Sequence, residues 1–296
     1  MARPAPSDDP FGRKIVATTH DDTYQFINPE NGEASDIKVL VSGASKGIGR
    51  ETVKSFARAG ASSIALLARS PLDDVVNEVL EAARAAGRKP PKVLKLQADL
   101  SDPAAVKSAM DQVEEQFGSL DVVINNASRL ETWRPLAETD INDWWLTWEV
   151  NIKGTYIVTR AALPLVLKGD LKTIVTLTSA GAFVSTPGGS AYQTTKLAQI
   201  RLNDFLVSEY SQKGVIAYAV HPGGVRTETA LNMPEYMHAR LTQTPQMCAD
   251  TIVWLTRSRK EWLSGRFVFG PLDMEELLAK KDEIVEKDLL KLKLTV

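Results

Sequence analysis

Three residues in the second half of the sequence have the types and spacing of an acid–base centre. Tyr192 and Lys196 are four residues apart, and Ser179 comes thirteen residues before Tyr192. On a helix, a spacing of four places the phenol and the ammonium about one turn apart on the same face. A lysine beside a tyrosine favours the phenolate and lowers its pKa from about 10 towards neutral pH. The pattern therefore predicts Tyr192 as a general acid/base, although such a pair by itself is also typical of an exposed helix face.

A glycine-rich turn follows the first apolar run of the chain. The sequence from Gly43 to Gly49 reads Gly-Ala-Ser-Lys-Gly-Ile-Gly. Gly43 permits a tight turn, Gly47 allows a pyrophosphate to approach the backbone, and Gly49 allows the next helix to pack closely on the strand. Free N–H groups at the start of that helix favour a phosphate. The turn therefore predicts a nucleotide site.

The residues after the second apolar run indicate which nicotinamide cofactor is bound. An acidic residue at this position binds a ribose 2′-hydroxyl, whereas an arginine accepts a 2′-phosphate. Arg69 lies twenty residues after Gly49, and Lys46 in the glycine turn faces the same region. Asp73 and Asp74 follow, but we expect Pro71 to begin a new segment that turns them away. Two cations without a nearby carboxylate predict NADP(H).

Apolar runs alternate with amphipathic stretches from Ile37 onwards. The alternation predicts an α/β fold, with a doubly wound, Rossmann-like parallel sheet of about seven strands and helices on both faces. We expect an extended N-terminal arm (1–35), a single catalytic domain (36–272) and a C-terminal helical tail (273–296). The predicted strands are Ile37–Val41, Ile64–Ala68, Val93–Leu96, Val122–Ile124, Ile174–Leu177, Ile216–Val220 and Phe267–Phe269. The predicted helices are Gly49–Arg58, Asp73–Ala86, Pro103–Gln116, Ile152–Leu167, Tyr192–Ser211, Pro245–Thr256 and Met274–Lys291.

The composition excludes several classes of protein. With 44% hydrophobic residues and a net charge of −2, the 296-residue chain has no electrostatic reason to bind nucleic acid or an anionic membrane. Its single cysteine, Cys248, excludes an intrachain disulfide, and the three histidines are too dispersed for a local zinc motif. No signal peptide or membrane span is evident, so a cytoplasmic protein is expected.

With these motifs the chain resembles the short-chain dehydrogenase/reductase family from about residue 37 to residue 270. The Gly43–Gly49 turn is similar to that family's cofactor turn, and Asn151, Ser179, Tyr192 and Lys196 fall where its catalytic tetrad falls. Further matches are Asp99-Leu100 at the adenine, Asn125-Asn126-Ala127 after the fourth strand, and the segment containing Pro222, Val225 and Thr227 at the nicotinamide amide. The resemblance implies cofactor contacts by Gly43, Ser45, Lys46, Ile48, Gly49, Arg69, Asp99, Leu100, Asn126, Ala127, Tyr192, Lys196, Pro222, Val225 and Thr227.

The resemblance also implies a mechanism. Tyr192 protonates the alkoxide formed by hydride transfer to a carbonyl, and Ser179 donates a hydrogen bond to the same oxygen. Lys196 binds the nicotinamide ribose and lowers the pKa of Tyr192, while Asn151 holds a water that relays protons to Lys196. His221 is an alternative base, but the end of a buried strand is more typical of a structural histidine.

The substrate is only broadly constrained. Ser128 stands where the family usually has glycine, and Trp133 follows where that family's pocket begins. The segment 228–243, which roofs the pocket in that family, carries apolar residues including Met233 and Tyr236. We expect Ser128, Trp133, Met233 and Tyr236 to border a mid-sized, largely apolar carbonyl or alcohol. The alternative is a sensor or scaffold of the same fold that binds the cofactor and has lost its redox chemistry.

The sequence also suggests self-association. The predicted helices Ile152–Leu167 and Tyr192–Ser211 carry more apolar residues than one buried face requires. In the family that the chain resembles, these helices pair across two-fold axes. A two-fold interface buries the same apolar stripe of side chains on both subunits. The expectation is a homodimer or homotetramer. The residues that would supply the stripe are Val158, Leu163, Ile200, Leu202, Phe205 and Leu206.

Overall fold

A computed structural model describes residue 9, residues 12–32 and residues 34–293 of the chain. Its centre is a parallel sheet whose strands coincide, within a residue at either end, with the apolar runs of the sequence. Buried on both faces, such strands read as continuous apolar stretches. The strands are β1 (Lys38–Ser42), β2 (Ser63–Ala68), β3 (Lys92–Gln97), β4 (Val122–Asn125), β5 (Thr173–Leu177), β6 (Ile216–His221) and β7 (Arg266–Phe269).

Helices follow the strands and cover both faces of the sheet. They are α1 (Gly47–Ala59), α2 (Asp73–Ala85), α3 (Pro103–Phe117), α4 (Ile141–Trp148), α5 (Thr155–Val166), α6 (Ser190–Tyr210), α7 (Pro245–Thr256), α8 (Met274–Ala279) and α9 (Lys281–Glu286). In the described part of the chain, no helix is both long enough and apolar enough to cross a bilayer.

The strand order places the chemistry at one edge of the sheet. The order is β3-β2-β1-β4-β5-β6-β7, with every neighbouring pair parallel. The chain reverses its direction of winding between β1 and β4, and ligands of doubly wound sheets bind beyond the carboxyl ends of the strands at that point. The glycine turn follows β1, and Asn126 follows β4. The predicted fold class is confirmed.

Two apolar clusters hold the helices on the sheet. Val39 and Val41 of β1 point into one cluster, which includes Phe56 of α1 and Ile252 of α7. Leu40 points to the opposite face and joins the second cluster, which includes residues of α3 and α5. This alternation is the two-residue period of a strand, and it fixes the position of the carboxyl edge relative to the helices.

The N-terminal segment packs against the domain. Residues 13–15, 25–27 and 29–31 form single 3₁₀ turns, so the described part is less extended than predicted. Thr23 Oγ1 donates to Asp250 Oδ2 at 2.6 Å, and the amide of Thr244 donates to Asp21 O at 2.8 Å. Of the predicted arm (1–35), residues 1–8, 10, 11 and 33 lie outside the described residues.

The predicted helix Met274–Lys291 is wrong as a continuous element. The chain forms α8 and α9, and Lys280 between them has φ −90° and ψ 5°. Leu277 of α8 and Ile284 of α9 are both fully buried, and the break lets each short helix turn its apolar side towards the domain. Residues 294–296 of the predicted tail lie outside the described residues.

The predicted helix Ile152–Leu167 also begins differently from the prediction. Helix α5 starts at Thr155, and a π-helical turn at Glu149–Gly154 joins it to α4. Such wide turns are frequent at functional sites. This one contains the buried Asn151.

Candidate active site

A cleft of about 1200 Å³ opens at the carboxyl edge of the sheet. Its walls come from residues that follow β1, β2, β3, β4, β5, β6 and β7. The fold therefore brings distant parts of the sequence into one site.

The glycine turn after β1 forms one end of the cleft. Gly43 and Gly47 have φ values of +67° and +55°, in the region that favours glycine. A Cβ atom on Gly49 would lie 2.3 Å from Gly43 O, so only glycine fits beneath the turn. Helix α1 starts here without a side-chain cap and without an acidic residue in its first turn. Its first N–H groups are suited to bind phosphate oxygens.

The predicted cofactor residues are brought together along this cleft. Gly49 is the exception, because it lies behind the turn. Those that line the cleft are Gly43, Ser45, Lys46, Ile48, Arg69, Asp99, Leu100, Asn126, Ala127, Tyr192, Lys196, Pro222, Val225 and Thr227. Asn126 also supports the turn, since its Nδ2 donates to Ser42 O at 2.9 Å and to Gly43 O at 3.2 Å.

Both cations proposed for a 2′-phosphate lie near carboxylates. Lys46 Nζ is 2.6 Å from Glu228 Oε2, and Arg69 Nη1 is 3.8 Å from Asp99 Oδ2. These pairs are exposed, with 80% of the Arg69 side chain accessible, so water screens them strongly. Sequence reasoning missed Glu228 as a partner of Lys46, because 182 residues separate the two.

Tyr192 and Lys196 lie on the first turns of α6, as their spacing predicted. Lys196 Nζ is 5.3 Å from the centre of the Tyr192 ring and donates to Leu177 O at 2.9 Å. Burial raises the pKa of Tyr192 to about 12, opposed by a hydrogen bond with Ser179. This direction is opposite to the prediction that Lys196 would lower the Tyr192 pKa. The reason is desolvation, which also lowers the pKa of Lys196 to about 7 and weakens its influence as a cation.

Ser179 follows β5 and faces the same part of the cleft. Its Oγ accepts a hydrogen bond from the amide of Gly181 at 3.0 Å, which orients the hydroxyl. The amide of Ala180 donates to His221 Nδ1 at 3.2 Å. Burial lowers the pKa of His221 to about 3, so its imidazole is neutral near pH 7. This histidine anchors the loop that carries Ser179 and is a weak base.

Asn151 lies behind the cleft and connects two parts of the site. Its Oδ1 accepts from the amide of Arg129 at 2.8 Å, and its Nδ2 donates to Thr195 Oγ1 at 3.0 Å. The backbone carbonyl of Asn151 accepts from Gln199 Nε2 at 2.8 Å. The π-helical turn therefore ties the loop after β4 to α6. Sequence reasoning missed Gln199, although it lies one helical turn after Lys196.

The remaining wall is largely apolar. The Trp133 ring packs on Gly189, where a Cβ atom would approach the ring to 2.9 Å. Ser128, Trp133 and Met233 line the cleft, and Ser128 Oγ donates to Asn151 Oδ1 at 3.2 Å. Tyr236 is not brought to this wall, since it is 70% exposed. Further apolar residues of the wall are Leu130, Leu146, Val184, Met237 and Leu241.

Comparison with known proteins identifies the family. The family model described as short chain dehydrogenase matches residues 38–237. Short chain dehydrogenase mpl6 of Monascus purpureus is 53% identical to this chain, over 95% of this chain and 96% of its own length. Short chain dehydrogenase pigC of Monascus ruber is 43% identical, over 94% and 93% of the two chains. The chain belongs to the short-chain dehydrogenase family and is an oxidoreductase of that family.

Solved structures show the same fold. A short chain dehydrogenase of Salmonella enterica serovar Typhi is 28% identical and superposes with a TM-score of 0.72, covering 83% of this chain and 99% of that chain. A short chain dehydrogenase of Shigella flexneri complexed with NADP is 26% identical, with a TM-score of 0.69, over 80% and 98% of the two chains.

Proposed function

We propose that the protein transfers a hydride between NADP(H) and a mid-sized, largely apolar ketone, aldehyde or secondary alcohol, with Tyr192 as the general acid/base. One observation carries the proposal: Ser179, Tyr192 and Lys196 line the same cleft as the glycine turn after β1. A proton donor, a hydrogen-bond donor and a cation thus face the space next to a phosphate-binding turn. That combination suits reduction of a carbonyl or its reverse.

The nucleotide end of the cleft fits a dinucleotide. A Cβ atom on Gly43 would lie 2.8 Å from Ala127 Cα, so the turn is as close to the loop after β4 as glycine allows. We assign the pyrophosphate to this turn and to the first N–H groups of α1. The adenine is assigned to Asp99 and Leu100, and the nicotinamide to the segment from Pro222 to Thr227. When bound, the cofactor supplies or accepts the hydride.

Two exposed cations support NADP(H) over NAD(H). Lys46 and Arg69 both line the nucleotide end of the cleft, and both can donate to a 2′-phosphate. The similar short chain dehydrogenase of Shigella flexneri was solved as a complex with NADP. Glu228 and Asp99 partly neutralise the two cations, so the preference is moderate in size.

The protonation states of the site suit carbonyl reduction. Because burial raises the pKa of Tyr192 to about 12, the phenol is protonated at neutral pH and can donate its proton to the substrate oxygen. Ser179 donates a second hydrogen bond to that oxygen as its negative charge grows. Lys196 binds the ribose hydroxyls of the cofactor and, with a pKa lowered to about 7 by burial, exchanges protons readily near neutral pH.

Asn151 and Gln199 are proposed to bind the water that passes protons to Lys196. The Asn151 carbonyl accepts from Gln199 Nε2 and retains a second lone pair. Gln199 Oε1 is buried and has no hydrogen-bond partner among the described residues. A buried polar atom without a protein partner is a usual position for an ordered water.

A screen for turnover tests the proposal. The purified chain is incubated with NADPH and a panel of ketones and aldehydes that increase in size and apolar surface, and loss of NADPH absorbance is followed. We expect turnover with mid-sized apolar members and little with charged ones. Tyr192→Phe serves as the chemical control. Binding of NADPH without turnover of any carbonyl, or oxidation of any secondary alcohol, would favour the sensor or scaffold hypothesis.

Self-association is proposed from exposed side chains, of which only Phe205 is among the residues first expected. Val158, Leu163, Ile200 and Leu206 are buried within the chain and are not available to a partner. Helices α4, α5 and α6 instead expose large apolar side chains that would suit a two-fold interface. The exposed residues are Ile141, Trp145, Leu146, Tyr156, Leu197 and Phe205.

A further inference from the structure

The helix that carries Tyr192 is capped from outside its own sequence. Gly189 precedes α6 and provides no side-chain cap. The carboxylate of Glu131, in the loop after β4, accepts from the amides of Ala191 and Tyr192 instead. Glu131 Oε1 is 2.9 Å from Ala191 N, and Glu131 Oε2 is 2.9 Å from Tyr192 N. These are two of the N–H groups that a helix start leaves without intrahelical partners.

Glu131 is an unusual carboxylate because it is buried without a cation. Its accessibility is 1%, and in the part of the chain that the structure describes it forms no ion pair. Burying a carboxylate is costly unless hydrogen bonds or opposite charge compensate. Here the two amides and the positive end of α6 provide that compensation. A neutral side chain could cap a helix at much lower cost, so the charge itself requires an explanation.

We propose that Glu131 is a positioning residue of the acid–base centre: its carboxylate fixes the first turn of α6 and places a negative charge beside Tyr192. The role rests on the proposed function of Tyr192. Glu131 does not line the cleft, so it acts by holding the first turn of α6 in place and through the electric field of its carboxylate. A negative charge near a phenol favours the protonated form, which is the form that donates a proton in carbonyl reduction.

Other charged or titratable groups near the phenol do not supply this effect. Lys196, on the same helix, favours the phenolate when it is protonated. His221, at the end of β6, is neutral near pH 7 because burial lowers its pKa to about 3. Arg13, Arg129 and Arg240, which line the cleft, are cations. The carboxylates Asp99 and Glu228 line its nucleotide end, beside Arg69 and Lys46. Burial is the largest cause that raises the pKa of Tyr192, and the negative charge of Glu131 raises it further.

The proposal is tested by titrating Tyr192 in the full chain. Phenolate absorbance is measured against pH, and the signal of Tyr192 is obtained by subtracting the Tyr192→Phe variant in each background. Glu131→Gln keeps an oxygen acceptor and removes the charge, so Tyr192 should ionise at a pH lower by about half to one unit. Glu131→Asp keeps the charge and should leave the ionisation within about 0.3 pH unit of the unmodified chain.

The matched control is Asp102, whose Oδ1 accepts from the amides of Ala104 and Ala105 at the start of α3. Asp102→Asn makes the same chemical change at another helix start and should leave the Tyr192 titration unchanged. If the role of Glu131 were purely structural, Glu131→Asp would change the Tyr192 titration more than Glu131→Gln, because glutamine matches the shape of glutamate and aspartate does not. The proposal is overturned if Tyr192 ionises at the same pH in the Glu131→Gln variant as in the unmodified chain. It is also overturned if Asp102→Asn shifts the ionisation of Tyr192 as much as Glu131→Gln does.

The titration requires no substrate, so its outcome is independent of the carbonyl screen. With an active carbonyl, the pH at which reduction declines should shift downward in Glu131→Gln by the same amount. An unchanged pH profile in that variant would contradict the proposal.

Discussion

Replacing Arg69 by alanine should weaken NADPH binding about ten-fold and leave NADH binding nearly unchanged. The guanidinium of Arg69 is exposed and 3.8 Å from Asp99, so it is weakly paired and available to a 2′-phosphate. An exposed charge-assisted contact of ~1.4 kcal/mol corresponds to a factor of ten in the dissociation constant. The unmodified chain should therefore bind NADPH at least ten-fold more tightly than NADH.

The structure adds a second substitution that should act in the opposite direction. Lys46 is 2.6 Å from Glu228, in an exposed pair, and such pairs contribute ~0.2–1 kcal/mol. A 2′-phosphate must compete with Glu228 for Lys46. Glu228→Gln should therefore strengthen NADPH binding by ~1.4–5-fold, with no effect on NADH.

Isothermal titration calorimetry with both cofactors measures these effects directly. The differences between variants should shrink as salt is added, since exposed charges are screened. Equal affinities of the unmodified chain for NADPH and NADH would refute the assignment. So would a loss of affinity for both cofactors on Arg69→Ala, because the 2′-phosphate would then not be the group that Arg69 contacts.

Three other predictions concern the turn, the buried lysine and assembly. Gly49→Ala should abolish cofactor binding and lower the melting temperature, since its Cβ would lie 2.3 Å from Gly43 O; alanine at Gly87, where φ is +67° and a Cβ meets nothing within 4 Å, strains the backbone without a clash and should lower the melting temperature but leave cofactor binding intact. Lys196→Met should stabilise the fold most at or below pH 7, and chemical denaturation should show this gain shrinking towards pH 10. The pKa of Lys196 is about 7 in the folded chain and about 10.4 in the unfolded chain. Unfolding therefore takes up a proton between these pH values, and the buried lysine destabilises the fold more as the pH falls towards 7. Light scattering at micromolar concentration should give a dimer or tetramer, whereas an active particle near 32.4 kDa would disprove assembly.

The strands and the nucleotide turn could be predicted because their signals are local. Buried parallel strands appear in the sequence as apolar runs. In the Gly43–Gly49 turn, glycines occupy the positions where φ is positive and where the backbone of α1 packs closely against the turn. Helix α7 begins at Pro245 and ends at Thr256 as predicted, since proline at the first position and Thr244 as the cap mark its start. Such features require no knowledge of distant parts of the chain.

The parts of the site that depend on distant contacts could not be predicted. Sixty-one residues separate Glu131 from Tyr192, and nothing near Glu131 indicates that it caps α6. The absence of a capping side chain at Gly189 was the available clue. The direction of the Tyr192 pKa shift was also inaccessible, because spacing reveals the neighbouring lysine and gives no measure of desolvation.

The most direct test of the central claim is the reductase activity of Tyr192→Phe. Removing the proton donor should lower turnover of an accepted carbonyl by ~100-fold or more, while the dissociation constant for NADPH stays within about two-fold of the unmodified value. Tyr218→Phe is the matched control, since its buried hydroxyl donates to Lys260 O at 3.1 Å outside the cleft, and it should retain activity. Turnover by Tyr192→Phe at the level of the unmodified chain would contradict the assignment of Tyr192 as the acid/base.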